Sequence, residues 1–300
     1  MSILVVGSVA LDTLETPHGR ADNILGGAAT NFALSACHFA PVQVVAIVGE
    51  DFPRKHIQDF KAHGIDTSGI RVARGLTFRW HGKYDESLSD AKTLRTELNV
   101  FSGFDPLLTG EMATCPWIFL ANIHPKLQLA VRSQVRSPRV VLADTMNLWI
   151  DTQRAPLEEL LRQVDALVVN AEEAQMLTDL DRVPAMAGKL LDRGLRWVII
   201  KRGEAGAYLR ARDGTVLSVP AYPVEHVVDP TGAGDAFAGG FLGHLSRSGR
   251  MTTRKIFDSL VHGTVMASFV IEAFGPTRLL QLGKRELDVR ARAFRRMLGH

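Results

Sequence analysis

The sequence predicts an α/β protein with a largely parallel central sheet, helices on both faces of it, and a small second β-sheet. Short apolar runs such as Ile3–Val6 alternate with segments of helical character over most of the 300 residues. Residues 78–84 and 94–100 instead alternate apolar with polar side chains, which is typical of a half-exposed antiparallel hairpin. With 46% hydrophobic and 22% charged residues, the chain can bury a large core.

The N-terminal part contains two predicted strands of the central sheet, Ile3–Val6 and Val44–Val48. Each is a continuous apolar run, as expected for a strand that is buried on both faces. A helix opens at Gly26-Gly27-Ala28-Ala29-Thr30-Asn31 and runs to about Phe39. An amphipathic helix covers Pro53–His63, and Gly64–Thr67 closes it.

The hairpin interrupts this rhythm. Phe78, Trp80, Gly82 and Tyr84 alternate with charged residues, and a second alternating segment follows a polar turn. Together with the segment from Asp12 to Leu25, these strands predict a small sheet that projects from one domain spanning 1–300. The inserted segments are approximately 12–25 and 72–103. One face of such a sheet can close over a substrate and exclude water, so we call it the lid.

The C-terminal part returns to alternation of strands and helices, which implies parallel pairing. The predicted strands are Trp117–Ala121, Arg139–Ala143, Ala166–Val169 and Trp197–Lys201, with another resuming at Ala207. The predicted helices are Pro125–Arg136, Leu157–Val164, Glu172–Leu177, Pro184–Arg193 and a basic helix over Lys284–Leu298.

Charge and cysteine content restrict the class of function. A net charge of +3 suits anionic small molecules but is too small to indicate a nucleic-acid partner. Cys37 and Cys115 lie in apolar surroundings without metal-ligand spacing and are expected to be reduced thiols. No apolar run reaches the ~20 residues of a membrane span. We therefore expect a cytoplasmic protein without a membrane partner.

The stretch from Asp229 to Phe241, DPTGAGDAFAGGF, is the strongest functional signal. A turn at Asp229-Pro230 leads through Gly232, Ala233 and Gly234 to a helix start, with Thr231 as a candidate cap, and free N–H groups at a helix N-terminus favour an anion. Asp235 beside such a site is explained if it takes the proton of a hydroxyl that attacks a phosphoryl group. The alternative is a helix start whose acidic residue merely complements the helix dipole. The stretch is neither a Walker loop nor a dinucleotide fingerprint.

Polar residues also follow several of the predicted strands, where ligands bind in open α/β sheets. Asp12 follows the first strand, and Gly26, Gly27 and Asn31 open the first helix. Each of these is also common in loops and helix starts without a ligand.

Two further groups of candidate site residues lie in the C-terminal half. Asn170 and Glu173 are three residues apart, so their side chains can face the same point. An amide and a carboxylate there suit the water shell of Mg²⁺. The alternative is that the two residues only cap a helix, as such residues usually do. Lys201 leads into a turn with Gly203 and Gly206. From its charge alone, Lys201 is either a phosphate contact or a surface cation.

The stretches around Asp235 and Asn31 resemble the C-terminal and N-terminal signatures of the ribokinase-like (PfkB) carbohydrate kinases. The resemblance covers Ile3 to about Phe274, but Ala40-Pro41 stands where the family usually has a glycine. It implies a ribokinase-like fold with ATP and Mg²⁺ as cofactors. Asp235 would be the general base, and the backbone N–H groups of Gly232, Ala233 and Gly234 would form the anion hole.

The resemblance also implies the remaining roles. Asp12, Gly26, Gly27 and Asn31 would bind the acceptor, and Glu173 would hold Mg²⁺ through water. The predicted nucleotide-binding residues are Asn170, Glu173, Lys201, Gly203, Gly206 and Thr231. Some family members hold a monovalent cation such as K⁺ beside the position of Asp229, and some form homodimers through the lid.

The expected activity is therefore ATP-dependent phosphoryl transfer to a hydroxyl of a sugar or sugar-like alcohol. A nucleoside kinase of the same family is one alternative, in which the aromatic residues of the hairpin stack on a base. A non-catalytic ligand-binding regulator on the same fold is another. Because Arg79, Lys83 and Arg95 are predicted to face away from the acceptor, we expect an unphosphorylated acceptor.

Overall fold

The computed structural model describes residues 1–88 and 91–299, without the side chain of Ser248. Residues 89–90 of the predicted 72–103 segment, and the last residue of the predicted 1–300 domain, lie outside the described part. Within it no helix is long and apolar enough to cross a membrane.

A nine-stranded sheet forms the centre of the described structure, in the spatial order β13-β12-β11-β10-β9-β8-β1-β4-β5. Its strands are β1 (Ile3–Val6), β4 (Val42–Gly49), β5 (Ile65–Ala73), β8 (Trp117–Leu120), β9 (Val140–Asp144), β10 (Ala166–Asn170), β11 (Trp197–Lys201), β12 (Ala207–Ala211) and β13 (Val216–Val219). Neighbours from β5 to β11 pair in parallel, and β12 and β13 are antiparallel additions at one edge. The predicted largely parallel sheet is confirmed.

Helices cover both faces of this sheet because its strands are apolar on both sides. Along β1, Ile3 and Val5 join one buried cluster, whereas Leu4 and Val6 join the other. The helices are α1 (Ala28–Ala36), α2 (Arg54–Ala62), α3 (Pro125–Gln134), α4 (Asn147–Thr152), α5 (Arg154–Leu161), α6 (Ala171–Thr178), α7 (Val183–Leu191), α8 (Ala233–Ser248), α9 (Thr253–Val270), α10 (Thr277–Gln281) and α11 (Lys284–Met297). α1, α8 and α9 pack on the first cluster, and α3, α5, α6 and α7 on the second.

The small second sheet is present and has the order β3-β2-β6-β7. Its strands are β2 (Ala10–Thr16), β3 (Gly19–Gly26), β6 (Arg79–Lys83) and β7 (Lys92–Glu97). β6 and β7 form the predicted antiparallel hairpin, and β2 pairs in parallel with β6. Tyr84 lies just after β6 and is buried.

One segment was predicted wrongly. Gly64–Thr67 does not simply close a helix, because the chain continues from Ile65 as β5 at the edge of the central sheet. Most of β5 is half-buried or exposed, so it lacks the continuous apolar run that identified the inner strands. The short elements α4 and β13 were also not predicted.

Candidate active site

The glycine-rich stretch forms the turn into α8. Gly232 is the N-cap residue with φ 78 and ψ 0, a left-handed conformation that strains any side chain with a Cβ. The predicted cap by Thr231 is wrong, because the helix start has no side-chain cap. The Thr231 hydroxyl instead donates to the hydroxyl of Tyr84 in the lid, at 3.1 Å. The backbone N–H of Thr231 donates to Asp229, at 2.9 Å.

Not every N–H group of this turn is free. The N–H of Ala233 donates to the carbonyl of Pro230 at 3.2 Å. In the described part of the chain, the N–H groups of Gly232, Gly234 and Asp235 make no such bond. They are the donors that the turn offers to an anion.

The acceptor residues predicted from the N-terminal half lie next to this turn. A Cβ on Gly232 would overlap the amide of Asn31, and a Cβ on Gly26 would overlap the carboxylate of Asp12. Gly27 is the N-cap of α1, and its φ of 97 suits glycine alone. Among the described residues, Asp12 Oδ1 and Asn31 Oδ1 are buried without a hydrogen-bond partner. Two buried acceptor oxygens therefore remain for donors from a ligand.

Lys201 lies beneath the anion site. Its Nζ is 2.5 Å from the position that a Cβ on Gly234 would occupy. Burial lowers the pKa of Lys201, but the carboxylates of Asp144, Glu173 and Asp235 outweigh burial and raise it. Lys201 is therefore a cation of the site and not a surface cation.

The same charges act on Asp235. Burial raises the pKa of Asp235 well above its usual range, and the Asp144 carboxylate raises it further. The ammonium of Lys201 opposes this rise. Asp235 thus has the perturbed pKa that is common among acid–base residues.

Asn170 and Glu173 close a reciprocal capping box at the start of α6. The N–H of Glu173 donates to Asn170 Oδ1 at 2.7 Å, and the N–H of Asn170 donates to Glu173 Oε2 at 2.8 Å. Burial raises the pKa of Glu173 to about 7, although Lys201 lowers it. The pair therefore has a structural role in addition to any role toward a ligand.

The turn after β11 brings Gly203 and Gly206 to the same end of the sheet. The N–H of Gly206 donates to the carbonyl of Gly203 at 2.9 Å, and both residues have positive φ. Arg202 is bound to the turn itself, because its guanidinium donates to Ala205 and Ser218. Lys201 is thus the cation of this segment that reaches the anion site.

Asp229 lies under the turn and is fully buried. Its Oδ2 accepts from the N–H of Gly275 at 2.8 Å, so the loop before α10 is tied to the glycine-rich turn. Burial raises the pKa of Asp229. Among the described residues, no group of three or more His, Cys, Asp or Glu side chains could hold a metal ion by itself.

Asp144 was not assigned a role from the sequence, whereas Trp80 and Tyr84 were considered only as hairpin aromatics that stack on a base in the nucleoside alternative. Asp144 ends β9 and is buried, and its charge acts on Lys201 and Asp235. Its position after a strand was visible, but nothing in the pattern showed which neighbour it would meet. Trp80 and Tyr84 alternate along β6, and that alternation was the signal for their shared face.

Comparison with known proteins identifies the family of the chain. The family model described as "pfkB family carbohydrate kinase" matches residues 128–281, just over half of the chain. The chain is 33% identical over 252 residues to a cytidine kinase of Thermococcus kodakarensis, covering 82% of this chain and 89% of that protein. It is 29% identical over 263 residues to a ribokinase of Staphylococcus aureus, covering 83% of each.

Solved structures share the fold. The nucleoside kinase of Burkholderia thailandensis in complex with inosine has a TM-score of 0.79 at 20% identity, covering 97% of this chain and 98% of that chain. A putative ribokinase II from E. coli in complex with ATP and Mg²⁺ has a TM-score of 0.81 at 19% identity, covering 97% and 99%. The chain therefore belongs to the pfkB family of carbohydrate kinases and is an ATP-dependent phosphotransferase that acts on a sugar or a nucleoside.

Proposed function

We propose that the acceptor is an unphosphorylated nucleoside and that Asp235 is the general base. The observation that carries the choice of a nucleoside is the position of Trp80. Trp80 pairs directly with Asp12 across β2 and β6, so both side chains project from the same face of the lid. The contact between Tyr84, further along this face, and Thr231 shows that the face is turned toward the glycine-rich turn.

The ring of Trp80 is held flat along its strand. A Cβ on Gly82 would overlap this ring, so the indole lies against the bare backbone of Gly82. The indole N–H donates to the hydroxyl of Thr93 at 3.1 Å. A fixed aromatic surface beside a hydroxyl-binding carboxylate suits a planar base attached to a sugar.

The sugar side of the same site is polar. The orphan oxygens of Asp12 and Asn31 are acceptors, and hydroxyl groups of a ribose are the donors that would satisfy them. Gly26 and Gly27 keep this surface open to close approach. We assign these four residues to the acceptor.

The charge of the lid supports an unphosphorylated acceptor. Arg79, Lys83 and Arg95 lie on the face opposite Trp80, as the alternation of β6 and its pairing with β7 require. Arg79 and Lys83 are bound there to Asp51 and Glu15. A sugar phosphate would need such cations on the inner face. Cytidine and inosine are the nucleosides in the names of two similar proteins.

In the reaction that we propose, Asp235 accepts the proton of the attacking ribose hydroxyl. The N–H groups of Gly232 and Gly234, and of Ala233 once it leaves Pro230, would stabilise the charge of the transferring phosphoryl group. Lys201 would add a positive charge directly beneath it. Positioned donors of this kind contribute about 3–4 kcal/mol each, and a general base about 10²–10⁴ in rate.

Nucleotide binding falls to the remaining residues. We assign Asn170, Glu173, Lys201, Thr231 and the turn with Gly203 and Gly206 to ATP. The carboxyl groups of Asp144, Glu173 and Asp235 lie near the ammonium of Lys201, and burial raises the pKa of each of them. A hydrated Mg²⁺ would favour their ionised forms, with Glu173 reached through water. When bound, Mg²⁺ supplies charge neutralisation at the phosphates.

Two further parts of the proposal concern a second cation and a second copy. A monovalent cation such as K⁺ would sit beside Asp229, whose buried carboxylate accepts only two backbone N–H groups among the described residues.

A homodimer would form through the outer face of the lid, which carries no helix in the described structure. A cavity of about 240 Å³ in the lid is lined by Arg20, Arg79, His81, Arg95 and Glu97 and also by Leu11, Thr13, Asn23 and Trp80.

The test is ATP consumption with a panel of nucleosides, the matching free sugars and sugar phosphates. We expect a nucleoside to give the highest kcat/KM. Trp80→Ala should raise the KM for that nucleoside about tenfold or more and leave the KM for free ribose unchanged, because only the base loses its stacking partner. Asp235→Asn should lower kcat by about 10²–10⁴ with nucleotide binding retained.

Lys83→Ala is the matched control for Trp80→Ala, since Lys83 is on the same strand and faces outward. A parent enzyme that prefers a free sugar, or a Trp80→Ala variant that behaves like Lys83→Ala, would contradict the nucleoside assignment. An active Asp235→Asn variant would contradict the assignment of the base.

A further inference from the structure

The lid joins the central sheet at a compact hinge around Thr77. The N–H of Leu11 donates to the carbonyl of Phe78 at 3.0 Å, and the amide of Asn99 donates to the carbonyl of Thr77 at 2.9 Å. The entering and leaving segments of the lid therefore meet there. Thr77 itself is fully buried, and its hydroxyl oxygen accepts from the N–H of Gly49 at 3.0 Å.

Asp51 holds this hinge from the side of the central sheet. Asp51 Oδ1 accepts from both the N–H and the hydroxyl of Thr77, each at 2.7 Å. Asp51 Oδ2 accepts from the guanidinium of Arg79 at 2.8 Å. Burial works against ionisation of Asp51, but the hydrogen bonds from Thr77 and Arg79 outweigh it and lower the pKa of the carboxyl.

The end of β4 packs closely against the segment that leads into the lid. A Cβ on Gly49, at the end of β4, would overlap the backbone of the segment from Gly75 to Thr77. The N–H of Glu50 also donates to the carbonyl of Gly75 at 3.0 Å. The carboxylate of Asp51 therefore acts on a segment that is already pressed against the central sheet.

Arg79 connects Asp51 to the strands of the lid. Its second guanidinium nitrogen donates to Asn23 in β3 at 2.6 Å. Arg79 pairs with Leu11 in the register of β2 and β6, one residue before the pair of Trp80 with Asp12. The ion pair Asp51–Arg79 thus links the body to the strand that carries Trp80 and, through the register, to Asp12.

We propose that Asp51 is a positioning residue that fixes the lid so that Asp12 and Trp80 hold the acceptor over Asp235. Asp51 does not touch the acceptor. The role of Trp80 in this inference rests on the proposed nucleoside activity, whereas the hinge itself does not.

Removal of the Asp51 carboxylate should have a larger effect than removal of one partner of an exposed ion pair. Exposed ion pairs usually contribute little to stability. Asp51 and Arg79 are 21% and 31% exposed, and three hydrogen bonds converge on the one carboxylate. Its loss would displace catalytic groups, and a shift of about 1 Å can cost 10²-fold in rate.

The experiment compares Asp51→Asn with the parent enzyme in steady-state kinetics. Asparagine keeps the shape and can still accept from Thr77, but it loses the charge opposite Arg79. We expect the acceptor KM to rise about tenfold, with the ATP KM within about twofold of the parent. ATP hydrolysis without acceptor should rise relative to phosphoryl transfer, because a loosened lid admits water.

The matched control is Asp258→Asn. Asp258 forms an ion pair with Arg295 at 3.2 Å, with side chains 14% and 35% exposed, far along the chain from the lid. Arg79→Gln and the double variant complete a cycle with Asp51→Asn. The double variant should be no worse than either single variant, because both break the same link.

A second readout does not depend on the acceptor. Amide hydrogen exchange of β2 and β6 should accelerate in Asp51→Asn, while exchange of β8 to β10 stays as in the parent. Unchanged exchange in the lid, or equal changes of the two KM values, would overturn the hinge proposal. If the parent prefers a free sugar, the nucleoside assignment fails alone, and the hinge is tested with that sugar and by exchange.

Discussion

At the scale of single residues, several carboxyl groups are buried at the candidate active site. Asp12 is almost fully buried, and burial raises its pKa to about 7 against the opposing backbone hydrogen bonds from Gly27 and Trp80. Asp229 and Asp235 also have raised pKa values for the same reason. Such groups are held in their ionised form at a cost in stability.

Asp12→Asn tests this cost. A folded-state pKa near 7, above the ordinary value of 3.8, means that the folded protein binds the proton more tightly than the unfolded chain. The contribution of Asp12 to stability therefore falls as pH rises from about 4 to about 7 and is then constant. Asp12→Asn should be more stable than the parent at pH 8, by at most about 4 kcal/mol.

Thermal unfolding at pH 4 and pH 8 measures the difference. The gap in Tm between Asp12→Asn and the parent should be largest at pH 8 and nearly absent at pH 4, because the parent carboxyl is then protonated. A variant that is less stable than the parent at pH 8 would show that Asp12 is not strained by ionisation. The same variant should bind the acceptor poorly.

Sequence patterns predicted individual candidate residues but not the contacts between them. The glycines and Asp235 were visible as a motif, and Asp12 as a residue after a strand. The partners of Lys201 were not visible, since Asp144 ends β9 and Glu173 lies in the first turn of α6, each more than twenty residues before Lys201 in the sequence. Which side chains meet across a sheet depends on register, and register is a tertiary property.

At the scale of elements, the lid contacts the body at two ends. Asp51 and Arg79 hold the hinge. At the other end, Thr231 of the glycine-rich turn donates to the Tyr84 hydroxyl. The lid is therefore connected to the glycine-rich turn as well as to the edge of the central sheet.

Tyr84→Phe tests the second connection. The substitution keeps the buried ring and removes the hydroxyl that accepts from Thr231. Because one hydrogen bond contributes about 1 kcal/mol, we expect kcat to fall about fivefold. Tyr222→Phe is the control, since Tyr222 packs on Phe294 and Arg290, away from the lid.

Kinetics with saturating ATP and acceptor provide the measurement. If Tyr84→Phe retains the kcat of the parent while its stability falls, the hydroxyl serves folding alone. If Tyr222→Phe loses kcat equally, the effect is not specific to the lid.

Elements were predicted where one pattern dominated. The hairpin of β6 and β7 showed a clear two-residue period, and the inner strands were continuous apolar runs. The strand β5 was not predicted, because an edge strand is half exposed. Its residues, IDTSGIRVA, show neither a two-residue alternation nor a continuous apolar run. α4 has only six residues, too few for a helical period to be recognised.

At the scale of the whole molecule, topology assembles the site from both ends of the chain. Asp12 and Asn31 come from the first strands and helix, and Asp235 comes from α8 more than two hundred residues later. Ser35 and the carbonyl of Ala236 join α1 to α8 by a hydrogen bond of 2.6 Å. This packing places the acceptor residues beside the N-terminus of α8.

The outer face of the lid is exposed at its β7 edge, where five of the six residues of the strand are exposed. β7 is an exposed edge strand, and Arg95 forms an ion pair with Glu97 on the outer face. Alternating charges can meet their opposites on a second copy related by twofold symmetry. An edge strand that is left open also invites pairing.

Arg95→Glu tests the dimer through this face. Reversal of one charge leaves Glu97 without its partner and places like charges together in each copy of the interface, which doubles the effect in a twofold dimer. We expect the parent to sediment as a dimer at micromolar concentration and Arg95→Glu to sediment as a monomer. The matched control is Arg196→Glu, whose exposed pair with Asp165 lies on the central domain. A monomeric parent would contradict the dimer, and a dimeric Arg95→Glu variant would place the interface elsewhere on the molecule.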